Sequence, residues 1–192
     1  MIRGQITLKR LGKTKKTILQ YIWEEDKPLT LSELVDKTRL TVRTVRRHLN
    51  DMEKTGLVKK SGYFITSDGK DMIGFPPINE LIAQQVLQKT SPREAFHFYT
   101  GYGKPLAISS TSLEDLCRKT SHVNIKSLEY HIQNGHLAAW IEFLGDSELA
   151  KRINQLRNSL RTGEALRNTM YGMIKQRFDE LSAELQSVKL AS

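Results

Sequence analysis

Three arginines and one asparagine lie close together between residues 41 and 55, and their side chains suit contact with the bases of a nucleic acid. They are Arg43, Arg46, Arg47 and Asn50. An arginine guanidinium can donate two parallel hydrogen bonds to guanine, and an asparagine amide can form a similar bidentate pair with adenine. Any one of them alone could be a solvated surface residue, but three arginines within five positions favour a base-reading surface.

A single helix is expected to present these side chains. Thr41 is a good N-cap residue, and the apolar residues that follow it recur every three or four positions, which predicts a helix to about Thr55. The expected buried positions are Val42, Val45, Leu49 and Met52. The first half of such a helix meets base edges in helix-turn-helix proteins, so Thr41 and Thr44 are candidate DNA contacts as well.

The flanking sequence predicts a tri-helical unit followed by a strand pair. The predicted elements are helices over residues 13–25, 31–38 and 41–55, strands over 57–60 and 63–66, and a helix that begins around Asp71. Pro28 ends the first helix, and Arg39-Leu40 forms the turn between the second and the third. Gly56 caps the end of the third helix, and Ser61-Gly62 is a tight hairpin turn.

Residues 13–75 resemble the winged-helix domain of prokaryotic and archaeal transcription regulators. The resemblance lies in the stretch TLSELVDKTRLTVRTVRRHLNDMEKTGLVKKSGYFITSDGKDMI, with its threonine-capped helix, its GLV and strand pair, and its T..GK. It implies a recognition helix in the major groove of double-stranded DNA. The wing is very short here, so Lys59 and Lys60 are expected to contact phosphates beside the groove rather than to reach far into the minor groove.

The positive charge of the chain is concentrated in the same part. The 192 residues carry a formal net charge of +9, and residues 1–75 hold 16 of the 30 Lys and Arg but only 9 of the 21 Asp and Glu. This asymmetry favours a polyanionic partner for the N-terminal part. A basic leader adds candidate contacts to phosphates or to the minor groove, with a solubilising tail as the alternative reading; its residues are Arg3, Lys9, Arg10, Lys13, Lys15 and Lys16.

Several function classes are not indicated by the sequence. No apolar run approaches the roughly 18 residues of a membrane span, and the N-terminus lacks the apolar core of a signal peptide, so a cytoplasmic, nucleoid-associated protein is expected.

The lone Cys117 lies in a helical stretch and is expected to be a buried thiol. Four histidines of the C-terminal half lack metal-ligand spacing; they are His97, His122, His131 and His136. We therefore expect no metal, no cofactor and no enzymatic activity.

Pro76-Pro77 marks the clearest boundary in the chain. A helix over residues 78–89 is expected after it, and Ser91-Pro92-Arg93-Glu94 is similar to a capping box, so a new element is expected to start there. Gly101-Tyr102-Gly103-Lys104-Pro105 lacks the features of a phosphate-binding loop and favours a hairpin turn. The remaining predicted elements are strands over 95–99 and 106–109 and helices over 113–119, 124–133, 137–144, 147–160 and 164–188.

Residues 94–157 resemble a small archaeal and bacterial family of unassigned function. The resemblance lies in FHFYTGYGKPLAISSTSLEDL and in IKSLEYHIQNGHLAAWIEFLGDSELAKRI. It implies a domain boundary and an archaeal origin, and it implies no chemistry.

The last predicted helix carries an apolar stripe at heptad spacing, formed by Tyr171, Ile174, Phe178, Leu181, Leu185 and Val188. This stripe could pair with a second chain, which suits a protein that binds two half-sites of DNA. It could equally pack on its own domain. The sequence leaves both alternatives open.

These observations predict a mainly α protein with small β elements, an α+β fold. The expected segments are a winged helix-turn-helix over 1–75, a linker helix over 76–93, a small α+β domain over 94–160 and a long helix over 161–192. The expected function is sequence-specific, dimeric transcription regulation on double-stranded DNA, with an unknown small-molecule or protein effector as a further partner. The alternative is an architectural chromatin protein that binds DNA with little sequence preference.

Overall fold

The computed structural model describes residues 11–25 and 27–191. The chain forms two compact units, Met1–Pro77 and Ile78–Ser192. Most of the described residues are helical, and the two small sheets are both antiparallel, which confirms the mainly α class with small β elements. The leader residues Arg3, Lys9 and Arg10 lie outside the described residues.

The described residues of the first unit form four helices and one β-hairpin. In chain order they are α1 (Lys13–Glu24), α2 (Leu31–Thr38), α3 (Val42–Lys54), β1 (Val58–Lys59), β2 (Phe64–Ile65) and α4 (Ser67–Asp71). Each of the first three helices turns one apolar face inward, and Ile18, Leu34 and Leu49 meet in the core without any exposure to solvent. The expected boundaries of α1, α2 and α3 agree with the observed ones to within two residues, because capping residues and apolar spacing are local signals.

The hairpin is tied back to the segment between α1 and α2. Val58 pairs with Ile65 and Lys59 with Phe64, and an isolated bridge joins Leu29 to Tyr63 through hydrogen bonds of 2.9 and 3.3 Å. Gly62 has a φ of 75°, and a Cβ built on it would lie 2.5 Å from the Cβ of Pro28. The bridge to Leu29 and the contact with Pro28 therefore hold the turn of the hairpin, the short wing, close to the rest of the first unit.

Two expectations for the first unit are wrong. Helix α4 begins at Ser67 rather than around Asp71, because Thr66 caps it by accepting a hydrogen bond from the Gly69 N–H at 3.1 Å. Val42 was expected on the buried face of α3 but remains 47% exposed. It is the first residue of that helix, so it lies at the edge of the core rather than over it.

Six α-helices and a second hairpin make up the second unit over residues 78–191. Its elements are α5 (Glu80–Leu87), β3 (Phe96–Tyr99), β4 (Pro105–Ser110), α6 (Leu113–Thr120), α7 (Ile125–Gln133), α8 (His136–Leu144), α9 (Ser147–Gln155), a 3₁₀ turn (Leu156–Asn158) and α10 (Gly163–Ala191). Helix α10 packs against α5, α6, α7 and α9. The core includes Phe98, Leu116, Ile141 and Ile174, none of which is exposed to solvent.

The chain departs from the expected elements around Ser91. The side chain of Glu94 accepts hydrogen bonds from the backbone N–H and the hydroxyl of Ser91, at 3.2 and 2.8 Å, as in a capping box. No helix follows, because residues 96–99 instead pair with residues 105–110 in the hairpin. At the hairpin tip Gly103 has a φ of 68°, which confirms the turn expected there.

Candidate nucleic-acid interface

Helix α3 presents a polar stripe to solvent along its whole length. Arg43, Arg47, Asn50 and Lys54 follow one another at intervals of four, three and four positions, and all four are exposed. This spacing places them on one face of a helix. Arg46 is also exposed and lies at one side of the stripe, on the same side as Val42. The sequence interpretation missed Lys54, although its position four residues after Asn50 was a usable signal.

The opposite face of α3 fixes the direction in which this stripe points. Val45, Leu49 and Met52 are completely buried in the core of the first unit. Helix α3 packs against both α1 and α2 through this face. Rotation of the helix about its axis would expose these side chains, at a cost of roughly 1.5–3 kcal/mol for each side chain lost from the core. The buried face therefore fixes the orientation in which α3 presents the polar stripe to solvent.

The turn before α3 carries an unusual backbone conformation. Arg39 has a φ of 56°, the only positive φ at a non-glycine residue in the described part of the chain. Its N–H donates to the carbonyl of Val35 at 2.8 Å and closes the end of α2. A left-handed conformation costs a non-glycine residue about 1–2 kcal/mol. The sharp turn between α2 and α3 is thus formed at a residue that does not favour it.

Two of the predicted DNA contacts hold the start of α3 together. The N–H of Thr44 donates to the hydroxyl of Thr41 at 3.2 Å, and the two hydroxyls lie 2.8 Å apart. This arrangement satisfies one of the free N–H groups at the helix start. Thr44 is half-buried and lies outside the exposed stripe. The capping role expected of Thr41 is present, and both hydroxyls already have a partner.

No ion pair in the described part of the chain neutralises the arginines of α3. Within residues 11–25 and 27–191, the guanidiniums of Arg43, Arg46 and Arg47 have neither an ion-pair partner nor a hydrogen-bond partner. Asp51 lies on the same helix, but its carboxylate forms an ion pair with Lys15 of α1 at 3.4 Å instead. An unpaired cluster of positive charge on an exposed face favours a polyanionic partner.

The other residues predicted to contact phosphates lie on α1 and on the hairpin of the first unit. Lys13 and Lys16 are exposed in the first turn of α1, whereas Lys15 is half-buried and paired with Asp51. Lys59 and Lys60 are exposed on the hairpin. Phe64 stands directly opposite Lys59 in the strand pairing and is 42% exposed, so the outer face of the hairpin has both a cation and an aromatic ring.

His48 lies on the inner side of α3, where its surroundings lower its pKa. Burial lowers the pKa of His48 below its usual value, and the neighbouring charges of Arg47 and Lys15 lower it further. Its Nδ1 atom is buried and has no hydrogen-bond partner among the described residues. These effects disfavour the charged form of the His48 ring.

Two histidines of the second unit, His131 and His136, contact each other. The backbone N–H of Tyr99 donates to Nε2 of His131 at 2.8 Å, so the neutral ring of His131 must carry its proton on Nδ1. That Nδ1 lies 3.3 Å from Nδ1 of His136, which is placed to accept a hydrogen bond from it. Both ring nitrogens of His131 are thus engaged. His97 and His122 are exposed elsewhere. In the part of the chain that the structure describes, no group of three or more His, Cys, Asp or Glu could hold a metal ion.

The apolar stripe of α10 divides along its length. Ile174 and Leu181 are completely buried in the core of their own unit, and Phe178 and Leu185 are partly buried against it. Tyr171 is 37% exposed and Val188 is half-buried. The stripe thus contributes to its own core up to Leu181, and the exposed apolar surface lies at its edges.

Cys117 is buried, and burial raises the pKa of its thiol, which favours the protonated form. None of the helices in the described ranges has a stretch long and apolar enough to cross a lipid bilayer.

Comparisons with known proteins bear on the first unit. Residues 11–60 match the family model described as bacterial regulatory protein, arsR family. The match covers α1, α2, α3 and β1, and it supports a helix-turn-helix of a DNA-binding transcription regulator. Its description names a regulatory protein and no enzyme. The comparisons do not support the resemblance inferred for residues 94–157. No curated protein and no solved structure matches the chain.

Proposed function

We propose that this protein is a dimeric transcription regulator that reads a specific sequence of double-stranded DNA, with α3 in the major groove. The observation that carries the proposal is the exposed stripe of Arg43, Arg47, Asn50 and Lys54, with Arg46 beside it. These residue types can form bidentate hydrogen bonds with guanine and adenine, and a B-DNA major groove is wide enough to admit a helix.

Phosphate contacts from two further places would orient the helix in the groove. Lys13 and Lys16 lie in the first turn of α1, which contains no acidic residue. Lysines at a helix N-terminus are unfavourable for the isolated helix, because the N-terminal end of the helix dipole is positive, and a bound phosphate would reverse that effect. Lys59 and Lys60 on the short hairpin are suited to phosphate contact on the other flank.

Dimerisation would use the distal end of α10. Among the residues of α10 whose burial the structure describes, Leu181 is the last that is completely buried, although the helix continues to Ala191. Beyond it Leu185 and Val188 are only partly covered, and Leu190 is 90% exposed. A second copy of the chain is the partner that we propose for this segment, because a two-fold dimer can read two half-sites about one helical turn apart. A response of the second unit to a small-molecule or protein effector stays a prediction.

The test of the proposal is selection of binding sites from random double-stranded DNA by the full chain. A sequence-specific regulator will enrich one motif, and the motif will keep its advantage over random DNA as the salt concentration rises. Affinity that falls uniformly with salt, without an enriched motif, would instead indicate the architectural alternative and would overturn sequence-specific reading.

The dimer has its own test. Leu190→Glu places a charge in the exposed apolar segment of α10, and we expect a monomer by sedimentation equilibrium where the wild type is a dimer. The control is Leu160→Glu, at a leucine that is also fully exposed but lies before α10. A wild-type protein that sediments as a monomer at micromolar concentration would contradict the dimer without affecting the assignment of α3.

A further inference from the structure

Val42 is an exposed apolar residue at the start of α3, the helix that carries the exposed arginines. It is the first residue of α3, and 47% of its surface is open to solvent. The other apolar residues of the same helix, Val45, Leu49 and Met52, are completely buried. Val42 is therefore the apolar residue of α3 that remains available to a partner.

The fold gains little from a valine at this position. A β-branched side chain is a weaker helix former than alanine, and an exposed methyl group adds little core packing. The polar groups next to Val42 are already engaged, since the hydroxyls of Thr41 and Thr44 lie 2.8 Å apart and cap the helix. The first turn of α3 thus carries an exposed valine that precedes Arg43 directly and Arg46 by four positions.

The major groove contains one apolar group that distinguishes a base, the C5-methyl group of thymine. Resting on the function proposed above, we propose that Val42 packs against the methyl group of a thymine in the DNA site. Arg46 lies one helical turn after Val42, and side chains four positions apart on a helix have Cβ atoms about 5–6 Å apart. Successive base pairs rise by about 3.4 Å. The thymine therefore lies within two base pairs of the base that Arg46 contacts.

The experiment removes the methyl group from the DNA and the valine from the protein, separately and together. Each thymine of the selected site is replaced in turn by deoxyuridine, which lacks only the C5-methyl group. The wild type is expected to lose about fourfold in affinity at one position, the value for one methyl group withdrawn from contact. Val42→Ala is expected to bind the thymine and deoxyuridine sites equally. Phe64→Ala, an exposed apolar change on the hairpin, is the control and should keep the deoxyuridine effect.

The outcomes separate this inference from the proposed function. If Val42→Ala keeps the same loss at every deoxyuridine position as the wild type, the contact is overturned and the sequence-specific regulator stands. If the wild type selects no motif, the proposed function fails and the contact fails with it. Because Val42 is exposed and alanine favours the helix, Val42→Ala is expected to keep the wild-type circular dichroism spectrum and melting temperature.

Discussion

The Arg177 guanidinium donates two hydrogen bonds to the Asp146 carboxylate, at 2.7 Å from Nε to Oδ2 and at 3.0 Å from Nη2 to Oδ1. Both residues are buried, although 31 positions separate them in the chain. Oδ1 of Asp146 also accepts the N–H of Leu149 at 3.0 Å, so the same carboxylate caps α9. The start of α9 is thereby fixed against the middle of α10.

Arg177→Ala should strongly destabilise the second unit. It would leave the Asp146 carboxylate buried without its cation, and removal of one partner of a buried ion pair costs about 3–5 kcal/mol. The measurement is urea unfolding followed by circular dichroism. The control is Arg118→Ala, which removes an exposed arginine from its pair with Asp115 at 2.6 Å; Asp115 keeps Lys119 as a partner, so the change should cost at most about 1 kcal/mol. Equal losses for the two variants would show that the buried pair has no special role.

Local signals in the sequence were sufficient to place the starts of several helices in both units. Thr30, Thr41 and Ser112 act as caps in the structure, and helices begin directly after them. A cap and the apolar spacing that follows it lie within a few residues of each other, so both can be recognised without knowledge of the fold. The exposed arginines of α3 were predictable for the same reason, since they are the positions left over by the apolar spacing.

Contacts between residues distant in the chain were not predictable. The Leu29–Tyr63 bridge, the Asp146–Arg177 pair and the His131–Tyr99 hydrogen bond each join segments at least 31 positions apart, and no local pattern marks their partners. The same limit explains Ser91 and Glu94. Their capping hydrogen bonds form as expected, but strand pairing farther along the chain prevents the helix that such a motif usually begins.

Arg46→Ala and Arg47→Ala should each weaken binding to the selected DNA site by roughly 1–3 kcal/mol, as expected for a lost base contact. The measurement is fluorescence anisotropy with the selected site and with random DNA at one salt concentration. Affinity for the selected site should fall more than affinity for random DNA, because a base contact distinguishes sequences. The control is Arg161→Ala, which removes the same charge from an exposed position of the second unit. Wild-type affinity in both α3 variants would exclude α3 as the reading helix.

Lys60→Ala should weaken binding to all DNA sequences to a similar extent. A lysine that contacts a phosphate releases about one counterion, so the slope of log affinity against log salt should become shallower by about one unit. The selected motif should be unchanged. Lys126→Ala, at an exposed lysine of the second unit, is the control and should leave the slope unaltered. A changed motif in Lys60→Ala would mean that the hairpin reads bases.

Gly62→Ala should destabilise the first unit more than Gly56→Ala does. Both glycines have a φ of 75°, and that conformation costs alanine about 1–2 kcal/mol. At Gly56 a Cβ atom meets open space, whereas at Gly62 it would lie 2.5 Å from the Cβ of Pro28. The two variants therefore share the backbone strain, and the steric clash is the difference between them. Thermal unfolding measures both, and equal melting temperatures would show that the turn is not packed against Pro28.

The second unit should lose stability as the pH falls from about 6.5 to about 4. Burial lowers the pKa of His131 from 6.5 to about 4, and the nearby His136 lowers it further in the same direction. In this pH range the unfolded chain therefore binds a proton that the folded chain does not, which favours unfolding. The stabilisation is fully present above pH 6.5, and a shift of this size corresponds to a loss on the order of 3 kcal/mol by pH 4.

Urea unfolding of the wild type and of His131→Gln across this pH range isolates the contribution of His131. The variant is expected to be less stable at pH 7, because the glutamine fills the imidazole site imperfectly, and to show a smaller fall in stability toward pH 4. His97→Gln, at an exposed histidine, should keep the full wild-type pH dependence. Parallel pH profiles for the wild type and His131→Gln would contradict a buried, uncharged His131. Such a result would also mean that the Tyr99 N–H is not held by an unprotonated Nε2.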